Sequence, residues 1–180
     1  HLMHKSMSET RNPKVPSTII ELLSHHNYYD MTFGLDPKFK FIASRAIYKG
    51  MLRFIHQTTG TPYVVQPLPV QQMNISYANN DSLHITWAER VDRLEPTATP
   101  TYYIIYTRTS QLRDGQWQTS DWDNGIRVTT PHATLPIQRG VKYDIMVRAG
   151  NDGGVSLPSE VLSAYIDAKY DNKLALIING

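Results

Sequence analysis

From Val70 onward the chain alternates apolar and polar residues with a period of two, and no other feature constrains its fold as tightly. Leu83, Ile85 and Trp87 alternate with His84 and Thr86. Tyr143, Ile145, Val147 and Ala149 alternate with Lys142, Asp144, Met146 and Arg148. Successive side chains of a strand point to opposite faces, so each such run buries one face and exposes the other. Residues 126–130 and 161–166 read as further strands. Residues 101–108 form a Tyr/Ile-rich strand that is apolar on both alternations, which leaves its inward face unassigned. Turn signals separate these runs: Asn79-Asn80-Asp81, Asp114-Gly115, Asp123-Asn124-Gly125, Gly140 and residues 151–154. Short strands at this spacing predict an antiparallel β-sandwich.

The segment before the sandwich has a different period. Thr18, Ile19, Ile20, Leu22 and Leu23 form a nearly continuous apolar run with one carboxylate, Glu21, inside it. That pattern predicts a strand over residues 17–23, buried on both faces of a parallel sheet. Ser24-His25-His26-Asn27 then closes it with polar residues. In α/β sheets, sites gather outside the carboxyl ends of strands, which would bring Glu21 and the 25–27 loop close to one. His25 and His26 are sequence neighbours that point apart in extended chain, and they read as loop residues.

Asp36-Pro37 is a strong helix start, an N-cap acid followed by proline at the first helical position. Phe39, Ala43, Ala46, Ile47, Gly50, Met51 and Phe54 recur at helical spacing, with Arg45, Lys49 and Arg53 on the opposite face. The spacing predicts a helix from about residue 36 to 54, ended by Thr58-Thr59-Gly60. Its apolar stripe needs a sheet to cover it, and residues 1–60 offer a single strand. So small a unit buries too little surface to stand alone. The predicted fold class is therefore mostly β: an antiparallel sandwich preceded by a β-α piece of an incomplete α/β domain.

The expected map runs as follows: 1–12 disordered or linker, 13–60 the β-α unit, 61–69 a proline-bearing linker, 70–168 the sandwich. The apolar run near the end of the chain, 174–178, reads either as the start of a further domain or as an added edge strand. His1 and His4 have a spacing that suits a metal on a helix, against a mobile terminus. The chain begins with His1, so the expectation is either that residues were removed or that this is a piece cut from a longer polypeptide, and the lack of a signal peptide says little about export.

Composition narrows the function classes. Among 180 residues, 41% are apolar, with 11 Tyr and 3 Trp, which supports a folded β-rich chain over disorder. The formal charge of +2 comes from scattered basic residues with no aromatic-interleaved cluster, which argues against nucleic-acid binding. Cysteine is absent, so disulfides and thiolate metal sites are excluded. No apolar run reaches the ~20 residues of a membrane span.

Two resemblances follow from these motifs. Residues 67–168, with Trp87, the Tyr-rich strand, the Leu135–Gly140–Tyr143 pattern and the Ala149, Asn151, Gly153/Gly154 and Ser159 positions, resemble a fibronectin type III (Ig-like) domain. That resemblance implies a sandwich and no chemistry. Residues 15–55 resemble the C-terminal end of zinc-dependent N-acetylmuramoyl-L-alanine amidases of the amidase-3 type. The matching parts are the Pro16 to Glu21 strand, the loop ending at Asn27, Asp36-Pro37-Lys38-Phe39, and the Ala43 to Met51 helix. The resemblance implies that Glu21 is catalytic in the complete domain, accepting a proton from zinc-bound water. The family's zinc ligands lie on earlier strands, and nothing upstream of Pro13 matches them. No cofactor is expected in this chain, zinc is expected in the complete domain, and the chain alone should be inactive as an amidase.

The combination resembles large secreted bacterial proteins often labelled xanthan lyases, although no residue here supports lyase chemistry. It implies a secreted, periplasmic or cell-surface protein that meets peptidoglycan or another polysaccharide, with the missing upstream α/β domain as a partner. The alternative is a non-catalytic spacer, carbohydrate-binding or adhesion module. For that reading the candidate contacts are Trp117 and Trp122, on the stretch QWQTSDWDNG, which either stack on sugar rings or cover the sheet edge.

Overall fold

The period-two runs form two stacked antiparallel sheets. A computed structural model describes residues 8–79, 81–168 and 174–177 of the chain; for Asn79 and residues 174–177 only the backbone is described. Three strands, β1 (Gln71–Asn79), β2 (Ser82–Ala88) and β6 (His132–Pro136), pair in the order β1-β2-β6. The second sheet is built from β3 (Tyr102–Arg113), β4 (Gln116–Thr119), β7 (Val141–Asn151), β9 (Leu162–Ile166) and β10 (Leu174–Ile177), in the order β10-β9-β7-β3-β4. Two short strands complete it: β5 (Ile126–Val128) pairs with β3, and β8 (Gly154–Val155) pairs with β7. Sheet on sheet with these crossovers is a fibronectin type III fold, as the sequence pattern predicts.

The inward faces follow the alternation. Met73 and Ile75 of β1, Leu83, Ile85 and Trp87 of β2, Tyr103 and Ile105 of β3, and Ile145, Val147 and Ala149 of β7 make one core cluster. Each fully buried Leu or Ile contributes roughly 1.5–3 kcal/mol relative to exposure. Trp87 packs edge-on to Tyr103, with ring centroids 5.3 Å apart. The ambiguity of residues 101–108 resolves here: the odd positions Tyr103 and Ile105 face inward, so Tyr102, Ile104 and Tyr106 face out.

Loops are fixed by specific bonds. The β3–β4 hairpin turns at Asp114-Gly115, both with positive φ (52° and 76°), the geometry that two-residue hairpins require. The Tyr143 hydroxyl accepts a hydrogen bond from the Gln138 backbone N–H at 3.0 Å, which locks the turn entering β7.

Among the described residues, four strands were not legible from alternation alone: β1, β4, β6 and the two-residue β8. β4 is exposed along its length and so has no alternation to show, and β6 is only five residues long. Residues 61–69, expected as a linker, contribute to the sandwich, because Val65 and Pro67 are fully buried. Asn151, itself buried, donates from Nδ2 to the carbonyls of Val65 (2.9 Å) and Thr97 (3.0 Å), and the Tyr63 hydroxyl donates to Glu95 at 2.7 Å. These bonds satisfy backbone and carboxylate groups that burial would otherwise leave unpaired.

At the other end of the sandwich, β10 pairs antiparallel with β9, Leu174 opposite Ile166 and Ile177 opposite Ser163. β10 thus lies at the outer end of the larger sheet's strand order; residues 169–173 and 178–180 lie outside the described residues.

The chain divides into two compact units between Met51 and Leu52. In the first, α1 (Ser8–Arg11) is a single turn where disorder or linker was expected, with Glu9 in its first turn and Arg11 in its last, each matched to the helix dipole. The His1 and His4 spacing lies outside the described residues. Residues 17–23 do not form the predicted strand. A strand needs a ladder partner, and none of the described residues pairs with this segment. Its apolar side chains turn to helices instead: Leu22 and Leu23, with Gly34, Phe39, Ala43 and Ile47, line an open groove of about 250 Å³.

The loop expected after residue 23 contains a second helix, α2 (Tyr28–Leu35). Asn27, read from sequence as part of a strand-closing loop, caps it by accepting from the Tyr29 N–H at 3.0 Å. The predicted main helix is α3 (Pro37–Thr59), longer than expected at its C-terminus. Asp36 Oδ1 accepts from the Lys38 N–H at 2.8 Å, and Gly60, at φ 71°, ends it with a bond to the His56 carbonyl.

Candidate functional site

The outward face of the larger sheet is the most distinctive surface of the sandwich. It begins at Gly150, opposite Tyr102 in the β3–β7 register. A Cβ on Gly150 would lie 2.3 Å from the Tyr102 ring, so the ring rests directly on bare backbone. Arg127 stacks in turn on Tyr102, its guanidinium carbon 3.6 Å from the ring centroid. Further along the same face, Gly125 sits over Ile104 and Tyr106; a Cβ there would come within 2.5 Å and 2.9 Å of them, and φ 77° also favours glycine.

Asp123 builds the segment that carries Trp122. Its carboxylate accepts from the Thr107 N–H (3.0 Å), the Thr107 hydroxyl (2.7 Å) and the Gly125 N–H (3.0 Å). The Asp123 N–H donates back to the Thr107 carbonyl at 2.9 Å. The segment is thereby tied along the edge of β3, and Trp122 lies under the Arg108 guanidinium, 4.8 Å from its carbon to the ring centroid. Arg108 is held from below by Asp144, Nε to Oδ2 at 2.9 Å.

Asp144 is the electrostatic centre of this face. It is 4% exposed and also accepts from the Ser163 hydroxyl at 2.6 Å and from Lys142 Nζ at 3.1 Å. Burial pushes its pKa up, but the hydrogen bonds from Ser163, Arg108 and Lys142 outweigh that, and the carboxyl sits below its ordinary value. A paired, buried carboxylate of this kind positions its partners. It is not poised to exchange a proton at neutral pH.

Trp117, on β4 opposite Leu112, lies on the same outward face, 51% exposed. Its ring meets Tyr165 edge-on at 5.9 Å. Trp122 is half-buried beside Arg108. The two tryptophans singled out from sequence therefore share one sheet face. Their β3 neighbours, Arg108 and Leu112, stand four residues apart, about 13 Å along the strand. Tyr102, Arg127 and Tyr165, which alternation did not pick out, complete an aromatic and cationic strip.

The first unit holds the other sequence-predicted residue. Glu21 is exposed and makes no hydrogen bond or ion pair with the described residues. His25 and His26 lie in a turn that brings their rings together, with centroids 3.9 Å apart. They do not point apart as extended chain would require. Among the described residues, no group of three or more His, Cys, Asp or Glu side chains could hold a metal ion. The residues present do not fit the zinc that the amidase resemblance implies, so no step through it is derived. No helix among the described residues is long and apolar enough to cross a membrane.

No protein-family model and no curated protein matches the chain. Solved structures similar to it include the fn3 domain of the human collagen alpha-1(XX) chain, at 18% identity, 63% of this chain, 98% of that one and a TM-score of 0.41. Another is the FN5 domain of Drosophila Lar, at 18% identity, 57% of this chain, 98% of that one and a TM-score of 0.40. A third is the twitchin kinase region from C. elegans, at 19% identity, 60% of this chain, 18% of that one and a TM-score of 0.45. The chain spans only 16% of the titin kinase and its flanking domains, at 22% identity and a TM-score of 0.40.

Proposed function

We propose that the sandwich is a non-catalytic accessory module that binds polysaccharide through the outward face of its larger sheet. The observation that carries this reading is the placement of Trp117 and Trp122 on one face, with Arg108 stacked on Trp122 and Tyr165 against Trp117. Aromatic faces offer apolar area to the C–H side of sugar rings at little entropic cost. The flanking guanidinium and hydroxyl groups supply directional hydrogen bonds. A flat strip some 13 Å long suits an extended polymer better than a small molecule held in a cleft. Peptidoglycan and anionic polysaccharides are the first ligands to test, which goes with a secreted or cell-surface role. Sedimentation with insoluble peptidoglycan, and affinity electrophoresis in polysaccharide gels, should show retention that falls at least about tenfold in Trp117→Ala and Trp122→Ala, corresponding to a loss of ~1.4 kcal/mol or more. Equal retention of both variants and the parent chain leaves the module a spacer.

A second reading concerns the first unit, and a specific observation favours it. None of α1, α2 or α3 has a buried residue, and Tyr28, Tyr29, Phe33, Leu35, Ile42 and Met51 are all largely exposed. Apolar exposure on this scale marks a surface meant to be covered. We infer that this unit completes a larger α/β domain of amidase type in a longer protein, in which Glu21 would gain partners. Expression of the longer gene product with zinc, assayed for peptide release from muropeptides beside Glu21→Gln, tests this. Equal activity of the two forms removes Glu21 from the mechanism.

A further inference from the structure

The smaller sheet carries a pair of histidines that the polysaccharide reading does not use. His84 on β2 and His132 on β6 both occupy outward positions, since Leu83, Ile85 and Trp87 fill the inward ones on β2 and Leu135 the inward one on β6. The register pairs His84 with Thr134 and Thr86 with His132, so the two imidazoles are diagonal neighbours across one strand pair. Their ring centroids are 6.0 Å apart, with planes inclined at 42°.

That spacing is close to what one shared metal ion demands. Two imidazole nitrogens at about 2.0–2.1 Å from an ion place their ring centres about 5–6 Å apart, within reach of a small side-chain rotation. Nδ1 of His84 lies 3.4 Å from the Thr134 hydroxyl, a contact that leaves Nε2 as the nitrogen available to an ion. The strand positions around the pair are Asn74 and Ser76 on β1, Thr86 on β2 and Thr134 on β6. All are short and uncharged, and no charged side chain on these strands stands beside the imidazoles to repel a cation.

We propose that His84 and His132 form a two-histidine surface site for a divalent transition-metal ion of the borderline class, zinc or copper. Imidazole suits both ions, and copper(II) binds a given nitrogen set more tightly than zinc. Water fills the remaining coordination positions. A bound ion links β2 to β6 and so holds the smaller sheet against slippage. This site is separate from the zinc that an amidase domain would carry and from the aromatic strip on the other sheet.

The test uses the full chain and nuclear magnetic resonance. Substoichiometric Cu²⁺ should broaden the backbone amide signals of β2 and β6, and excess Zn²⁺ should restore them. In His84→Gln or His132→Gln, both exposed-side substitutions, equal broadening of these strands should require about tenfold more Cu²⁺. Unchanged spectra elsewhere show that the variants fold. The proposal is overturned if the parent chain shows no broadening at β2 and β6. It is equally overturned if either single variant broadens at the parent's Cu²⁺ concentration. Failure of Zn²⁺ to restore the signals removes zinc as a ligand of this site.

Discussion

The guanidinium of Arg108 lies over the indole of Trp122, 4.8 Å from its carbon to the ring centroid, and is itself held from below by Asp144 at 2.9 Å. A buried carboxylate thus orients a cation, and the cation pins an aromatic ring on the outward sheet face. Orientation by a chain of this kind lowers the entropy still to be lost when a ligand stacks on the ring.

Arg108→Lys keeps the charge and removes the planar stack. The variant should lose about 1 kcal/mol of stability in urea unfolding. It should also bind polysaccharide more weakly than the parent chain, through a looser Trp122. Unchanged binding would separate Trp122 from the Arg108 platform.

Asp144 should make stability pH-dependent in the acid range. Its pKa is lower in the folded chain than in the unfolded one, because Ser163, Arg108 and Lys142 bonds outweigh burial. Its contribution is therefore full above the unfolded value of about 3.9 and is lost as pH falls through the lower folded value. Asp144→Asn should cost about 3 kcal/mol at neutral pH, since it leaves two cations without their buried partner. Thermal unfolding between pH 7 and pH 2 should show that the gap between parent and variant closes on acidification. A gap independent of pH would contradict the assignment.

The anchoring of residues 63–67 offers a test of a different kind. Asn151 must donate to the Val65, Thr97 and Thr99 carbonyls while its Oδ1 accepts from the Gly153 N–H at 2.8 Å. Asn151→Asp replaces the donor with a charge facing carbonyl oxygens and should cost ~3 kcal/mol. Gly153→Ala would put a Cβ 2.4 Å from the Val64 carbonyl oxygen and should also destabilise, by ~1–3 kcal/mol. Limited proteolysis should then cut within residues 61–69 in both variants and spare the parent chain.

What was legible in the sequence follows from where one physical signal acts alone. Leu83, Ile85 and Trp87, and Ile145, Val147 and Ala149, are buried while their alternate neighbours His84, Thr86, Met146 and Arg148 are less so, and there period and burial agree. Asp144 breaks the pattern because its ion pairs bury it on the outward side. The Tyr143 turn was legible through the fibronectin type III resemblance; its half-buried ring packs against the core and its hydroxyl reaches the Gln138 backbone. Asp36-Pro37 marked the start of α3 because capping is local. Residues 17–23 misled because an apolar run reports burial without saying what supplies the cover; Leu22 and Leu23 found helices, with no strand alongside. Residues 101–108 were ambiguous for a physical cause that became informative. Both faces of β3 are apolar because its outward side carries the aromatic strip. Trp117 and Trp122 were singled out by residue type, whereas Arg127 on Tyr102 depends on a register that only the paired strands fix.

The most direct test of the central claim is a two-dimensional NMR titration of the full chain with soluble peptidoglycan fragments and anionic oligosaccharides, following the three indole N–H signals. The account predicts saturable shifts of the Trp117 and Trp122 indoles and of the Arg108 and Tyr165 amides, with the buried Trp87 indole unmoved. Shifts confined to the smaller sheet, or none with any glycan at millimolar concentration, would contradict it.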